Sequence, residues 1–262
     1  MAHPQIAAFA RVANGSAKAT RAIAGQKTLF ARTMHDMAYD PVRDEIVVPQ
    51  FAAFAILTFR GDADGNTSPI RKIFGPSTQL ENTEALALDY IHGEIFVPQD
   101  DRILVFDRDV NGDAAPKRIL GVPGESDVDA GRLTMDPVHN LLIGSFNDGI
   151  RIYDRLAKGL DKPLRVITGD VANAVGLLTM DSNSGMIFGA VRPAGRYAKE
   201  DYVGVWSIYD EGDVPPRWTI GGPNGLLSDA RGVAVDPKSK TVMVSDKTLN
   251  AVLTFRVPEA FQ

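Results

Sequence analysis

The chain has 262 residues and contains no cysteine. Disulfide bonds, thiolate metal centres and thiol nucleophiles are therefore excluded. Long apolar runs are missing too: the most apolar stretch, residues 51–57, is far shorter than the roughly 20 residues that a membrane-spanning helix needs. The first four residues lack a charged segment followed by an apolar one. We expect a soluble protein without a membrane span, either cytoplasmic or processed after secretion.

An excess of basic residues is also lacking. The chain has 28 Lys and Arg against 33 Asp and Glu, a net charge of -5 and a pI near 5.4. A protein that binds the phosphate backbone needs a broad basic surface. The composition therefore argues against nucleic acid as a partner.

A repeated sequence pattern is the most prominent feature of the chain. Apolar segments end in aspartate five times, at spacings of 49, 47, 45 and 55 residues. A period near fifty indicates stacked supersecondary units, and the leading interpretation is an all-β β-propeller. The five residues are Asp40, Asp89, Asp136, Asp181 and Asp236.

One copy shows how a blade is built. Residues 86–89, 94–97 and 102–106 alternate or are rich in strand formers, and turn residues separate them. Asn111-Gly112 then predicts a tight reversal into a fourth strand at residues 116–121, because Gly accepts the positive φ of such hairpins. Each copy is thus predicted to form a four-stranded antiparallel meander.

The number of innermost strands sets the number of blades. Five are predicted, which favours a five-bladed propeller forming one domain over residues 1–262; six blades would need a sixth innermost strand. Residues 18–24 resemble a fourth strand and are predicted to complete the last blade, which leaves residues 6–11 as an extra third-strand copy. The innermost strands are residues 37–40, 86–89, 133–136, 178–181 and 233–236.

The repeat resembles a known family. The segment that carries the likeness reads Phe59-Arg60, Asp64-Gly65-Asn66, Pro69-Ile70-Arg71, Ile73 and Gly75. It is similar to the NHL-like propeller repeats, and the resemblance covers essentially the whole chain. Such repeats serve in ligand binding, in protein contacts and, in the related gluconolactonase and senescence-marker group, in metal-dependent hydrolysis. The resemblance therefore implies a fold and leaves several functions open.

Loops that differ from copy to copy are the predicted binding surface. The loops before each first strand and between each second and third strand share one face of a propeller, and variation on a repeated frame is where function usually lies. Candidate ligand-binding residues in these loops are His35, Asp36, Phe51, Glu84, Arg132, Arg192, Arg196, Tyr197 and Arg231. The alternative is an ordinary charged rim.

The longest departure from the repeat is the loop at residues 192–201, which accounts for the 55-residue spacing. Arg192, Arg196 and Tyr197 in this loop combine contact area with directed hydrogen-bond donors, which suits an acidic or polar ligand. Surface insertions are also tolerated without any function.

A second hypothesis places a metal in the channel. Glu84, Asn147, Asp148 and Asp246 are hard oxygen ligands of the kind that calcium or another divalent ion prefers. The resemblance to the gluconolactonase group implies a Glu with Asn and Asp partners and a metal-activated water that attacks a lactone or ester. By contrast, the stretch Asp107-Arg108-Asp109 begins like a calcium loop but has Arg118 where a bidentate Glu is required.

The sequence thus predicts a non-catalytic propeller, without a required cofactor, that binds a small molecule, a peptide or a protein at its loop face. Two alternatives stay open: a metal-dependent hydrolase of the lactonase or esterase type, and an assembly module that forms oligomers through the edge strand at residues 6–11. The histidines His92 and His139 follow strand-ending aspartates and are interpreted as turn residues.

Overall fold

The computed structural model describes residues 4–32, 34–193, 200–222 and 225–262. The fold is all-β with almost no helix: a five-bladed propeller of four-stranded antiparallel blades. The predicted class and blade number are confirmed. Within the described residues, no helix has the length and apolar character needed to cross a bilayer.

The chain divides into two compact units. The first comprises Met1–Gln99 and Leu104–Arg118, and the second comprises Asp100–Ile103 and Ile119–Gln262. The single domain expected over residues 1–262 stays a prediction.

The chain up to residue 120 forms ten strands in three sheets. β1 pairs with β2, β3 to β6 form one antiparallel meander, and β7 to β10 form a second. Short 3-10 helices occupy Gln26–Thr28, Phe51–Ala53 and Pro76–Thr78. The strands are β1 (Gln5–Ala8), β2 (Arg21–Ala24), β3 (Ala38–Asp40), β4 (Glu45–Gln50), β5 (Ala55–Arg60), β6 (Arg71–Phe74), β7 (Ala87–Asp89), β8 (Glu94–Pro98), β9 (Ile103–Asp107) and β10 (Arg118–Leu120).

The rest of the chain continues the pattern. Three further meanders follow, of which the last, β20 to β22, has three strands among the described residues. The α-helix α1 (Asp170–Asn173) and a 3-10 helix at Pro258–Phe261 complete the second unit. The strands are β11 (Arg132–Asp136), β12 (Leu141–Phe146), β13 (Gly149–Asp154), β14 (Arg165–Thr168), β15 (Val175–Asp181), β16 (Met186–Val191), β17 (Tyr202–Ser207), β18 (Gly212–Asp213), β19 (Trp218–Gly221), β20 (Ala230–Asp236), β21 (Thr241–Asp246) and β22 (Ala251–Arg256).

The strand-ending aspartates hold the turns that follow them. Asp89 Oδ1 accepts hydrogen bonds from the N–H groups of Ile91 and His92, at 3.1 and 2.8 Å, and its Oδ2 lies 2.8 Å from His92 Nδ1. Asp136 binds His139 in the same way. The recurring aspartate is therefore a turn cap, and these histidines are its partners, as the repeat indicated.

Hairpin glycines join neighbouring blades within each unit. Gly65, with a φ of 63°, forms a parallel bridge to Ile23, and Gly159, with a φ of 53°, forms one to Leu120. Both glycines adopt the left-handed conformation that other residues disfavour, so the hairpin needs glycine there. In each case the glycine belongs to the blade that follows the bridged strand along the chain.

Apolar side chains of adjacent sheets form the core. In the first unit Ile23, Ile46 and Phe59 belong to one buried cluster. In the second unit Phe188, Val205 and Val244 share another cluster across two successive sheets. This face-to-face packing buries apolar surface that a single blade could not bury by itself.

The N-terminal strand β1 pairs with the next strand along the chain. β1 overlaps the extra third-strand copy at residues 6–11 and pairs with β2 from Gln5↔Ala24 to Ala8↔Arg21. The completion of the last blade by the N-terminal fourth strand stays a prediction, because β2 has β1 as its sheet neighbour among the described strands.

Candidate functional site

Four of the predicted ligand-binding residues come together in the first unit. His35 Nδ1 lies 3.5 Å from Glu84 Oε2, and the His35 ring lies 6.2 Å from the ring of Phe51. Both of these side chains are more than a third exposed, 37% for His35 and 40% for Glu84. The pair is therefore accessible to a ligand but screened by water.

The carboxylate of Asp36 accepts hydrogen bonds from two backbone N–H groups. Its Oδ1 accepts the N–H of Met37 at 2.8 Å, and its Oδ2 accepts the N–H of Leu86 at 3.2 Å. Asp36 thereby ties the loop before β3 to the residue that precedes β7. The carboxylate of Asp36 therefore holds loop backbone, and its role in ligand binding stays a prediction.

A repeated Pro-Gln pair positions this region, and the sequence analysis missed it. Gln50 Oε1 accepts the N–H of Ala31 at 2.6 Å, and its Nε2 donates to the carbonyl of Pro49 at 3.0 Å. Gln99 makes the equivalent bonds one blade later. Both glutamines are buried. Their recurrence where the second strands of two successive sheets end, at β4 and β8, was the signal that could have identified them.

The second unit brings together three further predicted residues. Arg192 Nη2 lies 3.4 Å and Arg231 Nε 2.9 Å from the same oxygen, Oδ1 of Asp229. Arg192 Nε lies 4.0 Å from Asp201 Oδ2. We call Arg192, Asp201, Asp229, Arg231 and Asp246 the arginine–aspartate cluster. Its three carboxylates are almost fully buried, at 1%, 1% and 2% exposure.

Asp246 is held by the backbone. Its Oδ2 accepts the N–H groups of Ser228 and Asp229 at 2.7 and 3.0 Å, and its Oδ1 accepts the N–H of Leu249 at 2.9 Å. Burial acts to raise the pKa of Asp246, but these donors outweigh it and lower the pKa below the ordinary value. Asp246 therefore stays ionised and fixes the loop before β20.

Asp201 is different, because half of its carboxyl group has no partner. Oδ2 accepts the N–H of Ala230 at 2.8 Å, whereas the buried Oδ1 has no hydrogen-bond partner among the described residues. Asp229 Oδ1 accepts no hydrogen bond either, but it lies in the two ion pairs with Arg192 and Arg231. Burial raises the pKa of Asp201, and the nearby carboxylates of Asp229 and Asp246 raise it further, against the Ala230 N–H and the charge of Arg192. Buried polar atoms are normally paired, so an unpaired one calls for an explanation.

The remaining candidates of the second unit lie in other settings. Both oxygens of Asp148 accept hydrogen bonds from Arg151, at 2.9 and 2.8 Å, and Arg151 also binds Asp127 Oδ2 at 2.8 Å. Asn147 is exposed. Arg132 donates from Nη1 to the carbonyl of Gly131 at 2.7 Å. Arg196 and Tyr197 lie outside the described residues.

The predicted metal ligands are distributed over both units. Glu84 belongs to the first unit, and Asn147, Asp148 and Asp246 belong to the second. Across the part of the chain that the structure describes, no group of three or more His, Asp or Glu side chains could hold a metal ion. Asp148 and Asp246 are engaged by Arg151 and by backbone donors, so neither presents a free carboxylate. The metal site stays a prediction.

Asp201 and Asp229 are the site residues that sequence reasoning missed. Asp201 is the last residue of the inserted loop, and Asp229 lies two residues before the predicted Arg231. The available signal was that each predicted arginine shares a loop with an acidic residue, Arg192 with Asp201 and Arg231 with Asp229.

Comparisons with known proteins bear on the fold. No protein-family model and no curated protein matches the chain. Among solved structures it is similar to hydrazine synthase from Kuenenia stuttgartiensis, with a TM-score of 0.59 and 11% identity over 80% of this chain and 55% of that one. It is also similar to the Cps50 (Swd1) β-propeller domain from Myceliophteria thermophila, with a TM-score of 0.56 and 11% identity over 87% and 66% of the two chains.

These likenesses are structural. The chain spans 55% and 66% of the length of the two neighbours, and at 11% identity the match shows the propeller fold alone. The NHL-like group that the sequence resembles stays a prediction.

Proposed function

We propose that the chain is a non-catalytic binding module whose arginine–aspartate cluster recognises a hydrogen-bond donor on a small molecule or a peptide. β-Propellers often serve as binding or assembly modules, and this proposal assigns such a role to the loop between β16 and β17 and the loop before β20.

The single observation that carries the proposal is Asp201 Oδ1. It belongs to a side chain with 1% exposure, and within the part of the chain that the structure describes it has no hydrogen-bond partner. Leaving a buried acceptor unpaired costs about 1–3 kcal/mol. A ligand N–H or O–H group that bonds to Oδ1 would remove this cost.

The charge of the cluster points to the same ligand chemistry. Three carboxylates face two guanidinium groups, so the cluster carries one uncompensated negative charge when Asp201 is ionised. An ammonium group supplies both the missing donor and the missing positive charge. We therefore expect a primary amine or a lysine side chain to bind better than a neutral donor of the same size.

Recognition accounts for this geometry better than catalysis does. Asp246 is saturated by backbone donors, and Asp229 is paired with both arginines. Among the described residues, Asp201 Oδ1 is the carboxylate oxygen of the cluster that has neither a hydrogen bond nor an ion pair, whereas a divalent metal ion needs several oxygen ligands. A single acceptor in a fixed frame suits a binding site.

The test uses Asp201→Asn. Because burial raises the pKa of Asp201 above its unfolded value, the folded state is fully favoured below that unfolded value and loses stability as the pH rises through the folded pKa. At neutral pH the amide should therefore raise the melting temperature while it abolishes stabilisation by primary amines. Exposed Glu211 provides the control, and Glu211→Gln should change neither property. Retained amine binding in Asp201→Asn would refute the proposal.

A further inference from the structure

The hairpin between β13 and β14 exposes three leucines. Leu156 is 54% exposed, and Leu160 and Leu164 are each 50% exposed. A single exposed apolar side chain is normal on a protein surface, but three on one short hairpin call for an explanation. We call residues 155–165 the leucine hairpin. The equivalent hairpins of the first unit lie between β5 and β6 and between β9 and β10.

Backbone hydrogen bonds hold the leucine hairpin in place. The N–H of Gly159 donates to the carbonyl of Ile119 at 2.8 Å, and the carbonyl of Gly159 accepts the N–H of Gly121 at 2.7 Å. The N–H of Leu164 donates to the carbonyl of Ile152 at 2.7 Å. The hairpin is thus tied to its own sheet and to an earlier segment of the second unit, so moving its leucines inward would require these bonds to break.

Leu160 replaces a structural oxygen that the equivalent hairpins keep. In those hairpins the residue after the positive-φ glycine is Asn66 or Asp113. Asn66 Oδ1 accepts the N–H of Lys27 at 2.8 Å, and Asp113 Oδ1 accepts the N–H of Ser77 at 2.7 Å. A leucine at this position gives up such a hydrogen bond and exposes apolar surface to water, so stability alone does not explain it.

Two further positions of the hairpin change in the same direction. The residue before the glycine is Asp64 or Asn111 in the equivalent hairpins, and the side-chain oxygen of each accepts a backbone N–H at 2.9 Å. In the leucine hairpin this residue is Lys158. Leu156 stands where the first of the equivalent hairpins has Asp62. Acidic and amide side chains have therefore been exchanged for leucine and lysine.

The charge of the leucine hairpin is opposite in sign to that of the chain, whose net charge is -5. Residues 155–165 contain four basic residues and one acidic residue, whereas the equivalent residues 61–71 contain one basic residue and two acidic residues. Two of the basic side chains, Lys158 and Lys162, are exposed. The hairpin thus presents leucine and lysine together, which suits a partner surface that is both apolar and anionic.

We propose that the leucine hairpin docks on a membrane that contains anionic lipids, with its leucines among the acyl chains and its lysines at the phosphate groups. Protein segments that lie on membranes combine basic residues with leucine or aromatic residues. A protein partner fits less well, because protein–protein interfaces are depleted of lysine and their energetic hot spots are poor in leucine. Three half-exposed leucines bury little surface, so the docking should be weak, reversible and sensitive to salt. This role does not depend on the arginine–aspartate cluster.

The first experiment measures co-sedimentation of the full chain with lipid vesicles. Vesicles of phosphatidylcholine with about a third phosphatidylserine should bind the chain, and added salt should release it. Leu160→Asp restores the residue type of an equivalent hairpin, so it should fold, and it should weaken vesicle binding about tenfold or more. Leu226→Asp makes the same change at a leucine that is 70% exposed and should weaken binding much less.

Three results would overturn the proposal. They are an unbound wild type, equal binding by Leu160→Asp and Leu226→Asp, and equal binding to vesicles of phosphatidylcholine alone. If soluble polyglutamate binds the chain and the vesicles do not, an acidic protein segment is the partner and the membrane proposal is wrong.

A second measurement shows whether the hairpin itself enters the membrane. The chain has no cysteine, so Leu160→Cys introduces a single thiol that can carry an environment-sensitive fluorophore. On vesicles the emission of this label should shift to the blue, because the label leaves water for an apolar environment. The same label on the Leu226→Cys variant should keep its emission. An unchanged spectrum for Leu160→Cys, or the same shift in both variants, would contradict the proposal.

Discussion

Two strands of this protein have almost the same sequence and opposite surroundings. β5 and β22 differ only in Ile56 against Val252, yet Ile56 is fully buried and Val252 is 69% exposed. The aromatic residue of β5, Phe59, is also fully buried, whereas Phe255 on β22 is partly exposed. Local sequence determines that both segments form strands, and the neighbouring strands determine how deeply they are buried.

The sheet that contains β5 has an ion pair between its second and fourth strands that the last sheet lacks. Arg71 at the start of β6 forms an ion pair with Glu45 at the start of β4. The next sheet repeats this pair with Arg118 and Glu94. At the corresponding position β21 begins with Thr241. The last sheet lacks this glutamate, as do the sheets in which β12 and β16 begin with Leu141 and Met186, so among the described sheets the pair is a feature of the β3–β6 and β7–β10 meanders.

The sharpest test of the comparison is proline at the same position of both strands. Thr58 pairs with Val47 on one side and with Arg71 on the other. A proline there removes a backbone donor inside a sheet, so Thr58→Pro should lower the free energy of unfolding by about 3 kcal/mol or more. Thr254→Pro lies at an open edge and should cost less than about 1 kcal/mol. Urea denaturation of dilute protein measures both changes.

Alanine variants at the same two positions provide the control. Thr58→Ala and Thr254→Ala remove the side chain but keep the N–H, so they separate side-chain effects from backbone effects. If Thr254→Pro destabilises the protein as strongly as Thr58→Pro does, then β22 is covered in solution and the contrast between the two strands is wrong.

The second test concerns the glutamate of the ion pair in the β7–β10 meander. Glu94 is buried, which acts to raise its pKa, but hydrogen bonds from Arg118 and Lys117 outweigh burial and lower the pKa to about 2 from its ordinary 4.5. Its contribution to stability is complete above pH 4.5 and is lost as the pH falls toward 2. Between pH 7 and pH 3 we expect a loss of about 2 kcal/mol from this residue.

Denaturation at both pH values in wild type and Glu94→Gln checks this expectation. The variant should be less stable at pH 7, and its further loss on acidification should be smaller than that of wild type by about the same 2 kcal/mol. An equal loss in both proteins would mean that Glu94 does not carry the acid sensitivity of this sheet.

Much of the fold was readable from the sequence because its signals are local. A strand-ending aspartate caps its own turn, as Asp89 does for Ile91 and His92, so the spacing of the caps reports the period of the blades. Hairpin glycines such as Gly65 report positive φ in the same way. Each signal depends on two or three adjacent residues, and five repetitions make the pattern unambiguous.

The candidate site could be predicted only in part from the sequence, because its contacts join residues that are far apart along the chain. Arg192 and Asp229 are 37 positions apart in sequence and meet only when the sheet that contains β16 packs against the sheet that contains β20. The residue types at the loop face were predicted, but their pairing was not, since one arginine can neutralise any of several carboxylates. The burial of β22 could not be predicted for the same reason, because its sequence is nearly that of the buried strand β5.

The smallest expected effect comes from exchanging the one residue that distinguishes the two strands. Ile56→Val gives β5 the sequence of β22 and removes a methyl group from a fully buried position, so it should cost about 1 kcal/mol. Val252→Ile gives β22 the sequence of β5 at an exposed position and should change stability by less than about 0.5 kcal/mol. Denaturation of dilute protein measures both. Equal costs at the two positions would show that burial at these sites follows the strand's own sequence and not its neighbours, which is the reverse of what the two strands indicate.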